Sequence, residues 1–153
     1  MTDSPLLPPV LVLDTNVVLD WLYFSDSACS LLSSVIRDRQ VRWIASPAMR
    51  AETEHVLRRG IHPKRTADAE SVLGAWDTWA SMRPAVDEPS PVAMRCTDPD
   101  DQKFIDFALR SGASALLTRD RAVLKLARRA RGHGLRIETA IAWQQRWTIR
   151  DRP

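Results

Sequence analysis

The chain has few cysteines: two in 153 residues. Cys29 and Cys96 lack metal-ligand spacing and do not form a disulfide framework. A reducing, cytoplasmic setting is therefore expected. No apolar run approaches the roughly 20 residues needed to span a bilayer, so no membrane partner is expected. The opening MTDSPLLPPV has no basic n-region and too many prolines for a signal peptide, and residues 1–9 read as a short lead into a first strand. A G-x-G-x-x-G turn is missing, which excludes the usual dinucleotide-binding arrangement. His55, His62 and His133 show neither ligand spacing nor a paired base. Repeats, linkers and low-complexity tracts are also lacking. The 22 Lys+Arg against 19 Asp+Glu leave a net charge of only +3, too small to name a partner. What remains is an ordinary globular composition, 44% hydrophobic and 27% charged, read as one domain over 1–153 with a tail from 148.

Short apolar runs alternate with helical patterns almost throughout. VLVLD (10–14) is a continuous Val/Leu run, the pattern of a strand buried on both faces. A helical turn over 17–23 follows, capped by Thr15 or Asn16. Beyond Ser25-Asp26-Ser27, the positions Ala28, Leu31, Leu32, Val35 and Ile36 share one helical face. VRWIAS (41–46) is strand-like, and Ser46-Pro47 opens a helix that stops at Gly60. Pro63 opens a long helical stretch with Val72, Ala75, Trp76 and Trp79 on one face. Prolines then mark a loop over 83–91, followed by a short strand VAMR (92–95). Asp98-Pro99 starts a helix ended by Ser111-Gly112. SALLT (114–118) is a strand, Asp120 starts another helix, and LRIE with TAIAWQQRW closes the series. This alternation predicts an α/β fold with a parallel sheet covered on both faces.

Several carboxylates fall where apolar runs stop or helices begin. Asp14 closes the first strand and Asp120 follows the SALLT strand. Asp101 lies in the cluster DPDD (98–101), and Glu52 projects from the helix after Ser46-Pro47. Charge beside a core is costly unless paired, and in open α/β sheets the carboxyl ends of strands form the site. Convergence of these acids would call for a cation. Oxygen-only donors favour Mg²⁺ or Mn²⁺, and phosphodiester hydrolysis is the chemistry such a site serves. Each Asp of 98–101 and Asp120, taken singly, is also a good helix cap, and Glu52 alone is an ordinary solvated residue.

The blocks VLVLDTNVVLDWL, IASPAMRAETEHVLRR and DPDDQKFIDFALRSGASALLTRD, in that order, resemble the PIN-domain nucleases. The nearest likeness is to the toxin components of bacterial toxin–antitoxin systems. The third block is the most specific: an acidic start, an A-L-x-x-G-A helix end, a hydrophobic strand and T-x-D. The resemblance implies a three-layer α/β/α sandwich and a Mg²⁺- or Mn²⁺-dependent ribonuclease whose metal-holding acids are Asp14, Glu52, Asp101 and Asp120. Glu54 is the rival to Glu52. Asn16 and Thr118 fall where similar proteins orient ligands or contact water at the metal. Asp98 and Asp100 take capping or accessory duty. Ala122 departs from the branch, which often has another acid there. An RNA substrate, a cognate antitoxin and a homodimer are the implied partners.

Basic residues crowd the stretch from Arg119 to Arg136. Arg121 and Lys125 are the candidates for holding RNA phosphates beside the acids, with Lys64 and Arg65 weaker ones. Six tryptophans lie mostly among apolar neighbours, so packing is expected, with Trp76 and Trp79 as a candidate partner surface. A calcium loop starting at Asp98 fails, because Lys103 and Leu109 stand at its glycine and bidentate-acid positions. An aspartyl-nucleophile phosphatase would want an acid where Asn16 stands. A PIN-like scaffold that binds RNA or protein without cutting is the rival from another class.

Overall fold

The computed structural model describes residues 7–60, 69–84 and 93–150. The helix start at Pro63, His62, Lys64, Arg65, the greater part of the proline loop and the two chain ends lie outside the described residues. Within them, five strands form one sheet: β1 (Val10–Leu13), β2 (Arg42–Ala45), β3 (Ala80–Met82), β4 (Ala115–Leu117) and β5 (Arg136–Glu138). Their order is β3-β2-β1-β4-β5 and every pairing is parallel. Leu11, Val12 and Leu13 of β1 are completely buried, as a strand covered on both faces requires.

The chain moves outward from β1 through β2 to β3, then crosses back to β4 and β5. With right-handed crossovers, that reversal puts the two sets of helices on opposite faces. On one side α1 (Thr15–Leu22) packs against α3 (Pro47–Arg59), α3 against α4 (Ala69–Trp79), and α2 (Ser30–Arg37) against α8 (Ala140–Arg150). On the other, α5 (Gln102–Arg110) covers β1 and β4, while α6 (Arg121–Leu124) and α7 (Ala127–Arg131) lie against β5. The result is a three-layer α/β/α sandwich around a parallel sheet, as the sequence predicts.

Local chemistry sets the boundaries. Ser46 accepts a hydrogen bond from the Met49 amide, with Pro47 at the first helical position. Gly60 ends α3 at φ 92° and Gly112 follows α5 at φ 64°, both in the region that favours glycine. Four expectations differ. The first helix begins at Thr15 with Asp14 in the cap position, so neither Thr15 nor Asn16 is the cap. Ala80–Met82 pairs with β2 as an edge strand directly after α4, where none is predicted. The described part of VAMR, 93–95, is not a strand; there Met94 is buried and its carbonyl accepts from the Gln102 side chain at 2.7 Å. The helix expected after Asp120 breaks into α6 and α7, because Leu126 N–H bonds back three residues to Val123.

Trp21, Trp43 and Trp76 meet edge to face, at 5.5 and 4.8 Å between centroids, inside the core. Trp76 is 1% exposed and cannot offer the partner surface expected of it; Trp79 is partly buried beneath the Arg39 guanidinium. Gln144 of α8 ties two helices together. Its carbonyl accepts the Leu32 amide of α2 at 2.8 Å, and its amide donates to Ala28 and Ala140 at 2.6 and 3.1 Å. Gln144→Leu would strand the buried Leu32 N–H. A loss of about 1–3 kcal/mol in urea denaturation is the expected outcome, and unchanged stability would count against this clamp.

Candidate metal centre

The reversal of strand order falls between β1 and β4, and the candidate acids gather at the carboxyl ends of those two strands. Asp14 follows β1 directly. Its backbone is extended, at φ −64° and ψ 154°, and it holds the position before α1 without making a side-chain capping bond. Its backbone N–H donates to the Leu117 carbonyl at 2.9 Å, and one carboxylate oxygen accepts the Thr118 hydroxyl at 2.7 Å. Asp14 is only 3% exposed and Thr118 fully buried, so this bond crosses the switch point inside the protein. Thr118 also accepts the Asp120 amide at 2.9 Å. One hydroxyl thus orients both strand-end acids.

The acids divide by whether a cap already occupies them. Asp98 accepts the Asp100 amide and caps a 3-10 turn over Pro99–Asp101; Asp120 accepts the Ala122 amide and caps α6. Asp101 stands before α5 with no side-chain capping bond, and its buried Oδ2 has no hydrogen-bond partner among the described residues. Oxygens of Asp98, Asp101 and Asp120 all lie within 4.8 Å of one another. Among the described residues, no group of three or more acids at that spacing includes Asp14 or Glu52. Both stand within electrostatic reach: the charges of Glu52 and Asp120 bear on Asp14, and that of Asp14 bears on Asp101.

Glu52, on the face of α3 toward α1, takes the Thr15 hydroxyl on one oxygen and the Lys103 ammonium on the other, at 2.5 Å. Glu54 turns elsewhere, pairing with Arg58 in an exposed network that includes Glu70. Asn16 accepts the Arg119 amide at 3.1 Å, bracing the turn that carries Asp120. Asp100 is exposed and outside the three-acid group. Arg121 and Lys125 are exposed, whereas the Arg119 guanidinium forks onto Asp20. Asp98 is better placed than its sequence suggests, since it joins the three-acid group as well as capping the turn. Lys103 was not singled out from the sequence; its only signal there is its place two residues after Asp101.

Electrostatics explain why a cation fits. Burial pushes the Asp14 carboxyl up, and the Glu52 and Asp120 charges push it further; the Thr118 hydroxyl and Thr15 amide pull the other way without prevailing. Asp101 is pushed up to about 7, first by burial, then by the adjoining Asp120 carboxyl and the charges of Asp14, Asp120 and Asp98. Oxygen-only donors, an unpartnered buried carboxylate oxygen and mutual repulsion suit a hard divalent cation. Asp98, Asp101 and Asp120, whose oxygens lie within 4.8 Å of one another, would hold it, with Asp14 and Glu52 within electrostatic reach.

Because folding raises these carboxyls above the unfolded value of 3.8, the folded state holds more protons than the unfolded state above that pH. The stability contributed by these two groups therefore falls as pH rises from about 4, flattening for Asp101 once its folded value near 7 is passed. The expected thermal melts in EDTA show a lower Tm at pH 8 than at pH 5, a difference reduced by Asp101→Asn. Mn²⁺ should raise the Tm more at pH 8 than at pH 5. A metal effect independent of pH would contradict this electrostatic account.

Among the described residues, no helix is long and apolar enough to cross a membrane. No curated protein matches the chain. The PIN domain family model matches residues 10–122, from the first strand to the start of α6, and spans Asp14, Glu52, Asp101 and Asp120. With that match over most of its length, a parallel α/β/α architecture and an acidic cluster compatible with metal binding at its switch point, this chain belongs to the PIN domain family, whose fold is that of metal-dependent nucleases.

Proposed function

We propose that this protein is a divalent-metal-dependent endoribonuclease, using Mg²⁺ or Mn²⁺, and acts in the cytoplasm as the toxin of a toxin–antitoxin pair. The observation that carries the catalytic part is the three-acid group at the switch point, together with the unpartnered buried oxygen of Asp101. The whole chain, 1–153, is read as the one domain that does this, with Asp14, Glu52, Asp101 and Asp120 as its working acids. A divalent cation held there supplies a Lewis acid that activates water and neutralises charge on the phosphate. The side chains divide the remaining tasks. Thr118 fixes Asp14 and Asp120 in register with one another. Asn16 holds the Arg119 turn, and Thr15 holds Glu52. Arg121 and Lys125, exposed on and just beyond α6, offer phosphate contacts next to the acids. The toxin role, a cognate antitoxin covering the acidic edge and a homodimer rest on the family resemblance.

Cleavage of a mixed panel of single-stranded and structured RNAs should appear with Mg²⁺ or Mn²⁺ and vanish in EDTA. Asp14→Asn should reduce the rate by at least roughly a hundred-fold, beyond what loss of an outer supporting group costs. Cleavage that survives EDTA would sink the metal mechanism, and RNA binding without cleavage in every metal would favour the non-catalytic scaffold. A separate check addresses the basic pair. With EDTA present, Arg121→Ala and Lys125→Ala should each weaken RNA binding and flatten the dependence of log Kd on log salt by roughly 0.7. An unchanged slope would return these two to ordinary solvated charge.

A further inference from the structure

Lys103 is a cation paired directly with one of the candidate acids. Its ammonium lies 2.5 Å from Glu52 Oε1, while the Thr15 hydroxyl takes Oε2, so both oxygens of Glu52 are engaged. The pair joins α3 to α5 across 51 residues of sequence and is sheltered, with Lys103 at 37% and Glu52 at 29% side-chain exposure. The Phe104 ring, 5.4 Å from the ammonium, adds a second favourable contact. Three arginines pair with acids outside this group: Arg119 with Asp20, Arg50 with Asp77, Arg58 with Glu54 and Glu70. Lys103 therefore supplies positive charge to the same edge where Asp14, Asp98, Asp101 and Asp120 repel one another.

We propose that Lys103 is an internal counter-ion that competes with divalent cations for Glu52 and so sets the metal affinity of the acidic edge. The inference rests on the reading of that edge as a metal site. Two cations drawn to the same carboxylates repel each other. For Glu52 to ligate a metal through Oε1, the ammonium must leave it. With Lys103 in place, the edge keeps partial charge balance without metal and binds metal less tightly than its acids alone would. Lys103 acts through Glu52 and is a positioning residue.

The test is Mn²⁺ binding without RNA, followed by calorimetry and by the loss of the free Mn²⁺ paramagnetic resonance signal. Lys103→Met keeps the apolar stem and removes the charge; Lys103→Gln is its polar counterpart. Both should bind Mn²⁺ roughly three- to ten-fold more tightly than the parent protein, and Lys103→Arg should stay within about two-fold of it. In EDTA, Lys103→Met should melt lower than the parent, with saturating Mn²⁺ closing the gap. A purely structural role predicts weaker binding, not tighter. Folded Lys103→Met and Lys103→Gln that bind Mn²⁺ no more tightly would overturn the counter-ion role and leave the nuclease reading standing. Absence of Mn²⁺ binding in the parent would overturn both.

Discussion

The hydrogen bond from Thr118 to Asp14 joins two parallel strands at the point where the strand order reverses. Asp14 ends a strand with no exposed residue among its last three, so its carboxylate enters the core boundary almost free of water. Such a group must find a donor, take up a proton or meet a cation. Thr118 gives it one donor and, through the same oxygen, accepts the Asp120 amide. Strand pairing thus fixes more than backbone: Leu13 opposite Leu117 puts residues 14 and 118 side by side. The rest of the edge is assembled around that pair.

Around it, the two layers of helices contribute acids of different kinds. Asp98 and Asp120 each spend one oxygen on a helix or turn cap, which locks their orientation. Asp101 and Asp14 occupy similar positions before helices yet make no capping bond. Carboxylates that decline a cap are available for another partner, and their raised proton affinity measures how poorly the protein alone satisfies them. On α3, Glu52 is fully engaged by Thr15 and Lys103. The edge is graded, from acids anchored by backbone, through acids left unsatisfied, to one neutralised by an internal cation.

Much of this was legible in the sequence because local and global signals agree. A short, continuous Val/Leu run fits a strand buried on both faces, and Ser46-Pro47, Gly60, Asp98-Pro99 and Ser111-Gly112 announce helix ends by their own chemistry. The edge strand Ala80–Met82 was not legible, since it follows Trp79 without a turn residue and owes its form to the neighbouring Trp43–Ala45 backbone. The break at Lys125-Leu126 carries no glycine or proline either. In the site, strand-end acids stood out because charge beside a core is rare. The division between capping and uncapped acids was hidden, because either role suits an aspartate before a helix. Lys103 was hidden for a different reason: a lysine in an acidic helix start reads as a solvated charge, and its partner lies on another helix layer.

The central claim is that the carboxyl edge at the switch point holds a divalent cation between the strand-end acids. Crystals soaked in Mn²⁺ and measured near the manganese absorption edge test it directly. The account predicts an anomalous-scattering peak bounded by carboxylate oxygens of the Asp98, Asp101 and Asp120 group, beside Asp14. A structure with no peak at that edge under saturating Mn²⁺, or with manganese bound only elsewhere on the surface, would contradict it.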